Sequence, residues 1–157
     1  MLIREMRTEE YYLLEEFLYE AIFQRNQEDL LPKNIIYQPE LFIYIKDFGS
    51  LKDDYCLCAE HNGKIVAAVW VRIISGFDQI NKDTPEFAIS VLKDYRGLGL
   101  GRKLMAEMLQ LLKEKDYKNT SLAVQKDNYA LKMYQSLGFQ IIDENDEEYL
   151  MIFHLNK

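Results

Sequence analysis

This chain of 157 residues lacks long hydrophobic runs and contains few prolines, cysteines and histidines. No segment approaches the roughly 20 consecutive apolar residues that a membrane-spanning helix needs, so we expect no association with a membrane. The N-terminal segment is charged and patterned from its start, which is not typical of a secretory signal peptide. These absences together predict a cytoplasmic protein.

The chain has two cysteines, Cys56 and Cys58, in a predicted strand. Alternate side chains of a strand share one face, which disfavours a disulfide between them, so we expect two buried free thiols. Adding His61 still leaves fewer ligands than a tetrahedral metal site needs. His61 and His154 fit no metalloprotease or Ser-His-Asp pattern, and the acidic run 143–148 lacks the spacing of a calcium loop. We therefore predict no bound metal.

Acidic residues outnumber basic ones by 26 to 19, and the net charge is −7. This balance argues against a nucleic acid as partner, because nucleic acids are bound through basic surfaces, and it leaves a cationic substrate open. With 48% hydrophobic residues, the chain can fill the core of one domain. We predict a single domain over residues 1–157, without repeats or linkers.

Three of the seven glycines, Gly97, Gly99 and Gly101, lie close together where a predicted strand becomes a predicted helix. Such a turn lets the backbone approach a ligand at the first N–H groups of the helix. A phosphate fits that field, and Arg96 and Arg102 add positive charge. Both the Walker A and the dinucleotide fingerprints would require glycine at position 102, so the spacing fits neither.

Hydrophobic periodicity predicts the element order β-α-α-β-β-β-α-β-α-β-β. Thr8 is a candidate N-cap of the first helix, Asn62-Gly63 predicts a hairpin, and Gly138 is placed to end the last helix. The predicted strands cover residues 2–6, 55–60, 64–74, 86–92, 121–125, 139–143 and 149–155. The predicted helices cover residues 9–24, 40–47, 99–115 and 128–137, with a loop over 77–84.

The glycine turn, RGLGLG at residues 96–101, resembles the Arg/Gln-x-x-Gly-x-Gly/Ala signature of the GNAT superfamily of N-acetyltransferases. A second block of that family follows as NYALKMY at residues 128–134 and ends in LGF at 137–139. The resemblance implies an α/β (α+β) fold of the GNAT type. Its sheet would be mixed, mostly antiparallel and six- to seven-stranded, with about four flanking helices and two splayed parallel strands at its centre.

The same resemblance implies that acetyl-CoA is the co-substrate and lies between strands 86–92 and 121–125. Its pantetheine amides would pair with the backbone of Ile89 and Val91, and its pyrophosphate would lie on the glycine turn, where a Cβ at Gly99 or Gly101 would block the approach. The coenzyme site implied in this way comprises Ile89, Val91, Arg96, Gly97, Leu98, Gly99, Gly101, Arg102 and Asn128. The alternatives are an ordinary tight turn at 96–101 and a helix N-cap at Asn128.

Acetyl transfer to an amine needs a proton acceptor for the amine and a proton donor for the leaving thiolate. The resemblance implies that Tyr134 is the donor, although its position also fits the apolar stripe of its helix. Glu86 opens its strand about 20 Å from the phosphate end, at ~3.3 Å per residue, and is the candidate base near the thioester. The alternative for Glu86 is a solvated surface charge, in which case Tyr19, Asp143, Glu144 or a water chain would accept the proton.

We therefore predict an acyltransferase that moves an acetyl group from acetyl-CoA to a primary amine of a small molecule or peptide by direct transfer. The geometry that the resemblance implies would bring Asp29, Glu86 and the run 143–148 towards the acceptor side, where acidic groups favour a cationic amine. The alternative is a non-catalytic acyl-CoA-binding sensor or interaction module on the same fold, which would need neither Tyr134 nor Glu86. The acceptor, the acyl length and a homodimer stay open.

Overall fold

The computed structural model describes residues 1–22, 24, 30–74 and 83–155. The strands within these residues are β1 Leu2–Glu5, β2 Tyr55–His61, β3 Lys64–Arg72, β4 Glu86–Val91, β5 Asn119–Gln125, β6 Gln140–Glu144 and β7 Glu148–His154. The α-helices are α1 Leu14–Ala21, α2 Pro39–Phe42, α3 Leu100–Glu114 and α4 Ala130–Leu137. The strands form one seven-stranded sheet in the order β1-β2-β3-β4-β5-β7-β6. This confirms the predicted mixed, mostly antiparallel sheet, in which β4 and β5 are the parallel neighbours.

Strand β3 lies inside the sheet and is buried on both faces, as its continuous apolar sequence predicts. Val69 and Val71 belong to the core on the side of α3, whereas Ala68 and Trp70 belong to the core on the side of α1. The helices contribute Leu104, Met105, Met108 and Leu112 from α3, and Leu14, Phe17 and Leu18 from α1. Burying each of the larger side chains contributes about 1.5–3 kcal/mol to the stability of the fold. The sheet therefore lies between two hydrophobic cores, one formed with α3 and one with α1.

The β2–β3 hairpin turns at Asn62 and Gly63, as predicted. Their φ angles of 51° and 81° are both left-handed, which is the conformation that a two-residue hairpin turn requires and that Asn-Gly adopts readily.

The parallel strands β4 and β5 touch at one end and then separate. Among the described residues, Glu86 and Ser121 are the one pair in register between them. The carbonyl of Pro85 holds this end closed, because it accepts hydrogen bonds from the Ser121 N–H at 3.0 Å and the Thr120 hydroxyl at 2.8 Å. The resulting split in the sheet leaves a V-shaped space whose open end faces the glycine turn.

The first helix begins differently from the prediction. Residues Thr8–Leu13 form a 3-10 helix, α1 follows it, and Arg7 rather than Thr8 is the N-cap. The Glu10 carboxylate accepts the Arg7 N–H at 2.8 Å and also both terminal nitrogens of Arg4 at 2.9 Å. The Arg4 side chain of β1 thus stabilises this turn. Helical periodicity in the sequence does not predict such a contact.

The predicted helix over residues 40–47 is also shorter than expected. Helix α2 ends at Phe42, and turns replace its continuation. The Arg72 guanidinium donates to the carbonyls of Ile43 and Lys46 at 3.0 and 2.6 Å, and the Trp70 indole donates to that of Tyr44 at 3.1 Å. Side chains of β3 therefore take the carbonyls that a longer helix would have used.

Cys56 and Cys58 are both buried in the core beside α1 and are free thiols, as expected. The predicted loop 77–84 lies, as far as residue 82, outside the described residues, and so does Phe23 near the end of the first predicted helix. Among the helices that the structure describes, none is long and apolar enough to cross a membrane.

Candidate active site

The glycine turn links the end of β4 to the start of α3. Gly97 and Gly99 have left-handed φ angles of 79° and 81°, which glycine adopts without strain. A Cβ added to either would meet no protein atom within 4 Å, so the backbone conformation, and not crowding within the protein, requires glycine here. Gly101 lies inside α3, where a Cβ would be 3.8 Å from Val91 Cγ2 and 3.9 Å from Ile89 Cδ1, an ordinary contact.

The N-terminus of α3 points at this turn without an internal cap. No side chain caps Gly99, and the first turn of α3 contains no acidic residue. The first N–H groups of a helix have no intrahelical acceptor, and together with the helix dipole they create a positive field. An anion at the turn would meet that field, whereas no carboxylate of the helix itself neutralises it.

Two arginines flank the turn, and both already have protein partners. Arg96 donates through Nε to the carbonyl of Val91 at 2.8 Å and lies 3.3 Å from the Glu20 carboxylate of α1. Arg102 donates to the Ser136 hydroxyl of α4 at 2.5 Å. Arg96 therefore fastens the turn to β4 and α1, and Arg102 links α3 to α4. Glu20 partly offsets the positive charge of Arg96.

A cleft runs from the glycine turn into the split between β4 and β5. It has a lower half at the turn and an upper half beneath α1 and α2, and five residues line both halves: Ala21, Ile22, Ile89, Asn128 and Tyr134. The predicted site residues that line the cleft are Ile89, Val91, Arg96, Gly97, Gly99, Gly101, Arg102, Asn128 and Tyr134. Leu98 and Glu86 do not line it, and the Leu98 side chain is 71% exposed.

Tyr134 lies where the two halves of the cleft meet. Its ring packs edge-on against Phe139, with the centroids 6.1 Å apart, and the residue is 8% exposed. Burial, and secondarily the nearby Tyr129, raises the pKa of Tyr134 to about 12, so the hydroxyl stays protonated at neutral pH. The ring thus belongs to the core, while the hydroxyl keeps a proton to donate.

Asn128 stabilises the start of α4 while lining the cleft. Its Oδ1 accepts the Ala130 N–H at 2.9 Å, and its carbonyl accepts the Leu131 N–H at 3.1 Å. The N-cap position of α4 is Tyr129 and not Asn128 as the alternative expected, although the Asn128 side chain does bond to the first helical N–H. This bond does not exclude a contact with a ligand, because Asn128 lines both halves of the cleft.

Glu86 is buried, with 4% of its surface exposed, and it is not a solvated charge. Its Oε2 accepts a hydrogen bond from the hydroxyl of Tyr44, a residue that lines the upper half of the cleft. Sequence reasoning missed Tyr44. The two residues are 42 positions apart, Tyr44 belongs to no motif, and its neighbourhood to Glu86 arises only from packing.

Asp29, Glu86 and the run 143–148 are the acidic residues expected on the acceptor side. Within the described residues, Glu148 is the one of them that lines the upper half of the cleft. Asp143 and Glu144 are exposed and line neither half, and Glu144 lies 3.1 Å from the Lys126 ammonium. Asp29 lies outside the described residues. The rest of the upper half is mostly apolar, and its other polar residues are Tyr44, Gln125, Asn128 and Tyr134.

Tyr19, an alternative candidate for the base, lines the lower half at the turn, and its hydroxyl donates to the carbonyl of Leu31 at 2.5 Å. Across the residues that the structure describes, no group of three or more His, Cys, Asp or Glu side chains could hold a metal ion.

Comparison with known protein families matches residues 10–139 to the Acetyltransferase (GNAT) family. A mycothiol acetyltransferase of Corynebacterium aurimucosum is 41% identical over 69 residues, which is 41% of this chain and 23% of that protein. A [ribosomal protein bS18]-alanine N-acetyltransferase of Haemophilus influenzae is 35% identical over 57 residues, which is 36% of this chain and 39% of that protein. The matched segments thus span less than half the length of either relative.

Among solved structures, the PaiA N-acetyltransferase of Thermoplasma acidophilum in complex with coenzyme A superimposes with a TM-score of 0.71 and 19% identity. The superposition covers 98% of each chain. At this identity the likeness concerns the fold, and it extends over nearly all of both chains.

Proposed function

The chain belongs to the GNAT family of acetyltransferases, and from this premise we propose that it transfers an acetyl group from acetyl-CoA to a primary amine. One observation carries the proposal. A cleft open at both halves leads from a glycine turn at a helix N-terminus, through the split between β4 and β5, to a protonated tyrosine. This arrangement would supply an anion site, an extended slot for the coenzyme and a proton donor within one cleft.

The lower half suits the coenzyme. A pyrophosphate at the turn would accept hydrogen bonds from the N–H groups of Gly99 and Gly101, and the positive end of the α3 dipole would stabilise its charge. A pantetheine arm in the split would meet the edge of β4 at Ile89 and Val91, beyond the point where β4 pairs with β5. The arm would use the Ile89 backbone and the Val91 N–H, because the Val91 carbonyl already accepts a hydrogen bond from Arg96. Asn128, which lines both halves, would contact the arm between these two places.

The upper half suits the acceptor amine. Its lining is mostly apolar, and Glu148 offers a charge that attracts a cation. Tyr134 would protonate the leaving thiolate, and Glu86 would accept the proton of the amine. The two relatives are named for a small-molecule acceptor and for a protein alanine, which supports a primary amine of either class.

Binding of CoA to Gly99→Val tests the coenzyme site, with Gly63→Val as the matched control. Gly63 and Gly99 share a φ of +81°, and a Cβ at either position meets no protein atom within 4 Å. Valine should therefore strain both turns by a similar amount, about 1–2 kcal/mol for each left-handed residue. Titration calorimetry should show CoA binding by the wild type and Gly63→Val, and at least a tenfold loss by Gly99→Val.

Equal CoA affinity in folded Gly99→Val and Gly63→Val would refute the assignment of the turn to the pyrophosphate. Tight CoA binding without release of free thiol from acetyl-CoA, across a panel of primary amines, would favour the non-catalytic binding module instead.

A further inference from the structure

The hydroxyl of Tyr44 stands between Glu86 and the cleft. Glu86 is buried and does not line the cleft, whereas Tyr44 lines its upper half and donates its hydroxyl hydrogen to Oε2 of Glu86. A proton acceptor must reach the acceptor amine directly or through one intervening group. Glu86 does not line the cleft, and the Tyr44 hydroxyl is an intervening group that connects it to the cleft.

The position of Tyr44 is fixed by contacts on both sides. The Trp70 indole donates to the carbonyl of Tyr44 at 3.1 Å. Arg72 donates to the carbonyls of Ile43 and Lys46, on either side of Tyr44, at 3.0 and 2.6 Å. These three bonds hold the segment after α2 against β3, whose Arg72 is in register with Glu86.

Arg72 is itself held rigidly. Its Nε and Nη2 pair with both carboxylate oxygens of Asp54 at 2.9 Å, and the two side chains are 4% and 0% exposed. Such a buried two-bond pair has little freedom to move, so Arg72 serves as a fixed support for the Tyr44 segment. Arg72 thus pairs with Asp54, while the Glu86 carboxylate accepts a hydrogen bond from the Tyr44 hydroxyl.

We propose that Tyr44 is a catalytic residue that relays the proton of the acceptor amine to Glu86. This inference rests on the proposed function and adds a residue to it. The amine and the cleft face Tyr44, and Glu86 acts through it as the proton acceptor. Tyr134 serves the opposite proton transfer, to sulfur, from α4.

The relay balances over one turnover. The lone pair of the neutral amine attacks the thioester carbonyl and forms the C–N bond, and the C–S bond breaks with its electron pair on sulfur. The nitrogen gives one proton to the oxygen of Tyr44, while the hydroxyl proton of Tyr44 passes to Oε2 of Glu86. The thiolate takes the hydroxyl proton of Tyr134. Exchange with solvent through the open cleft then removes the proton from Glu86 and returns one to Tyr134.

The test compares Tyr44→Phe with Tyr117→Phe, using acetyl-CoA and an amine that the wild type acetylates. Tyr117 is also a half-buried tyrosine whose hydroxyl donates to a carboxylate, that of Asp53, but it does not line the cleft. We expect Tyr44→Phe to lower kcat by about 10- to 100-fold, with the KM for acetyl-CoA unchanged, because only the proton transfer is lost. Tyr117→Phe should keep the wild-type kcat.

A double-mutant cycle with Glu86→Gln separates a relay from a structural contact. If the two residues pass one proton, Tyr44→Phe/Glu86→Gln should be no slower than the slower single variant, because either change interrupts the same path. Losses that multiply would overturn the relay, since they would indicate two independent roles.

The failures of the two proposals are distinguishable. Acetylation by the wild type together with a normal kcat in Tyr44→Phe would overturn the relay alone. A wild type that binds CoA but transfers no acetyl group to any amine of the panel would overturn the proposed function, and the relay with it.

Discussion

Tyr134 shows how one residue can serve the core and the cleft at once. Its ring contacts Phe139, and its carbonyl accepts the Phe139 N–H at 3.0 Å where the chain leaves α4. The same burial that packs the ring raises the pKa of the hydroxyl to about 12, because a tyrosinate would be poorly solvated there. A donor with this pKa remains protonated throughout the neutral range and can still protonate a thiolate as the thiolate forms.

We expect Tyr134→Phe to lower kcat by about 10- to 1,000-fold while leaving CoA affinity and the unfolding temperature close to those of the wild type. Phenylalanine fills the same space, so only the donated proton is lost. Steady-state kinetics, calorimetry and thermal unfolding measure the three quantities. Because the pKa of Tyr134 lies at about 12, no loss of wild-type activity between pH 7 and roughly pH 10 should be attributable to its ionisation. A normal kcat in Tyr134→Phe would leave the tyrosine a core residue only.

At the scale of elements, α4 ends at a glycine where a phenylalanine ring of the sheet leaves no room for a side chain. Gly138 has a φ of +119°, and its N–H bonds to the carbonyl of Gln135 at 3.1 Å, as expected for a helix that ends at a left-handed residue. A Cβ there would lie 2.9 Å from Phe153 of β7, too close for an ordinary contact. Phe153 in turn packs on Phe139 with the ring centroids 5.3 Å apart, so a shift of Phe153 would be transmitted toward Tyr134.

Gly138→Ala should therefore destabilise the protein more than Gly63→Ala does. Both changes place alanine at a left-handed φ, at a cost of about 1–2 kcal/mol, but only the former also crowds a half-buried ring, that of Phe153, which adds about 1–3 kcal/mol. Urea unfolding of the two variants measures the difference. Equal losses of stability would mean that Phe153 moves aside freely when a Cβ is added at residue 138.

The elements were largely predictable from the sequence because their signals are local. Two apolar runs on either side of Asn62-Gly63 predicted β2, β3 and the turn between them, and Gly138 predicted the end of α4. The early end of α2 was not predictable, since Arg72 and Trp70 take its carbonyls from 26 to 29 positions away in the chain. Long-range hydrogen bonds of this kind leave no periodic signal.

The candidate site divides in the same way. The glycine turn, Asn128 and Tyr134 could be located because two short motifs carry them, and the structure brings them to one cleft. That they bind a coenzyme or donate a proton stays a prediction. The burial of Glu86 and its bond to Tyr44 had no local signal, because the pair forms only when α2 packs across the sheet.

For the whole molecule, the net charge is negative, whereas the charges that line the cleft differ in sign between its two halves. The chain carries a net charge of −7, yet the lower half of the cleft has Arg96, Arg102 and the positive end of α3, while the upper half has Glu148. An anionic coenzyme would thus be held locally against the overall field. A cationic acceptor would be attracted by that field and by Glu148.

We therefore expect acceptors with a net positive charge, such as a polyamine, an amino sugar or a peptide N-terminus, to react faster than anionic amino acids. Added salt should raise the KM for the cationic acceptor, because it screens the attraction.

Glu148→Gln should raise that KM about fivefold at low salt, which corresponds to about 1 kcal/mol for one nearby charge, and should weaken its salt dependence. Glu107→Gln, on the exposed face of α3, removes the same charge away from the cleft and should change the KM little. Equal effects of the two substitutions would assign the attraction to the overall charge. Faster reaction of anionic amines, indifferent to salt, would show that these carboxylates do not select the acceptor.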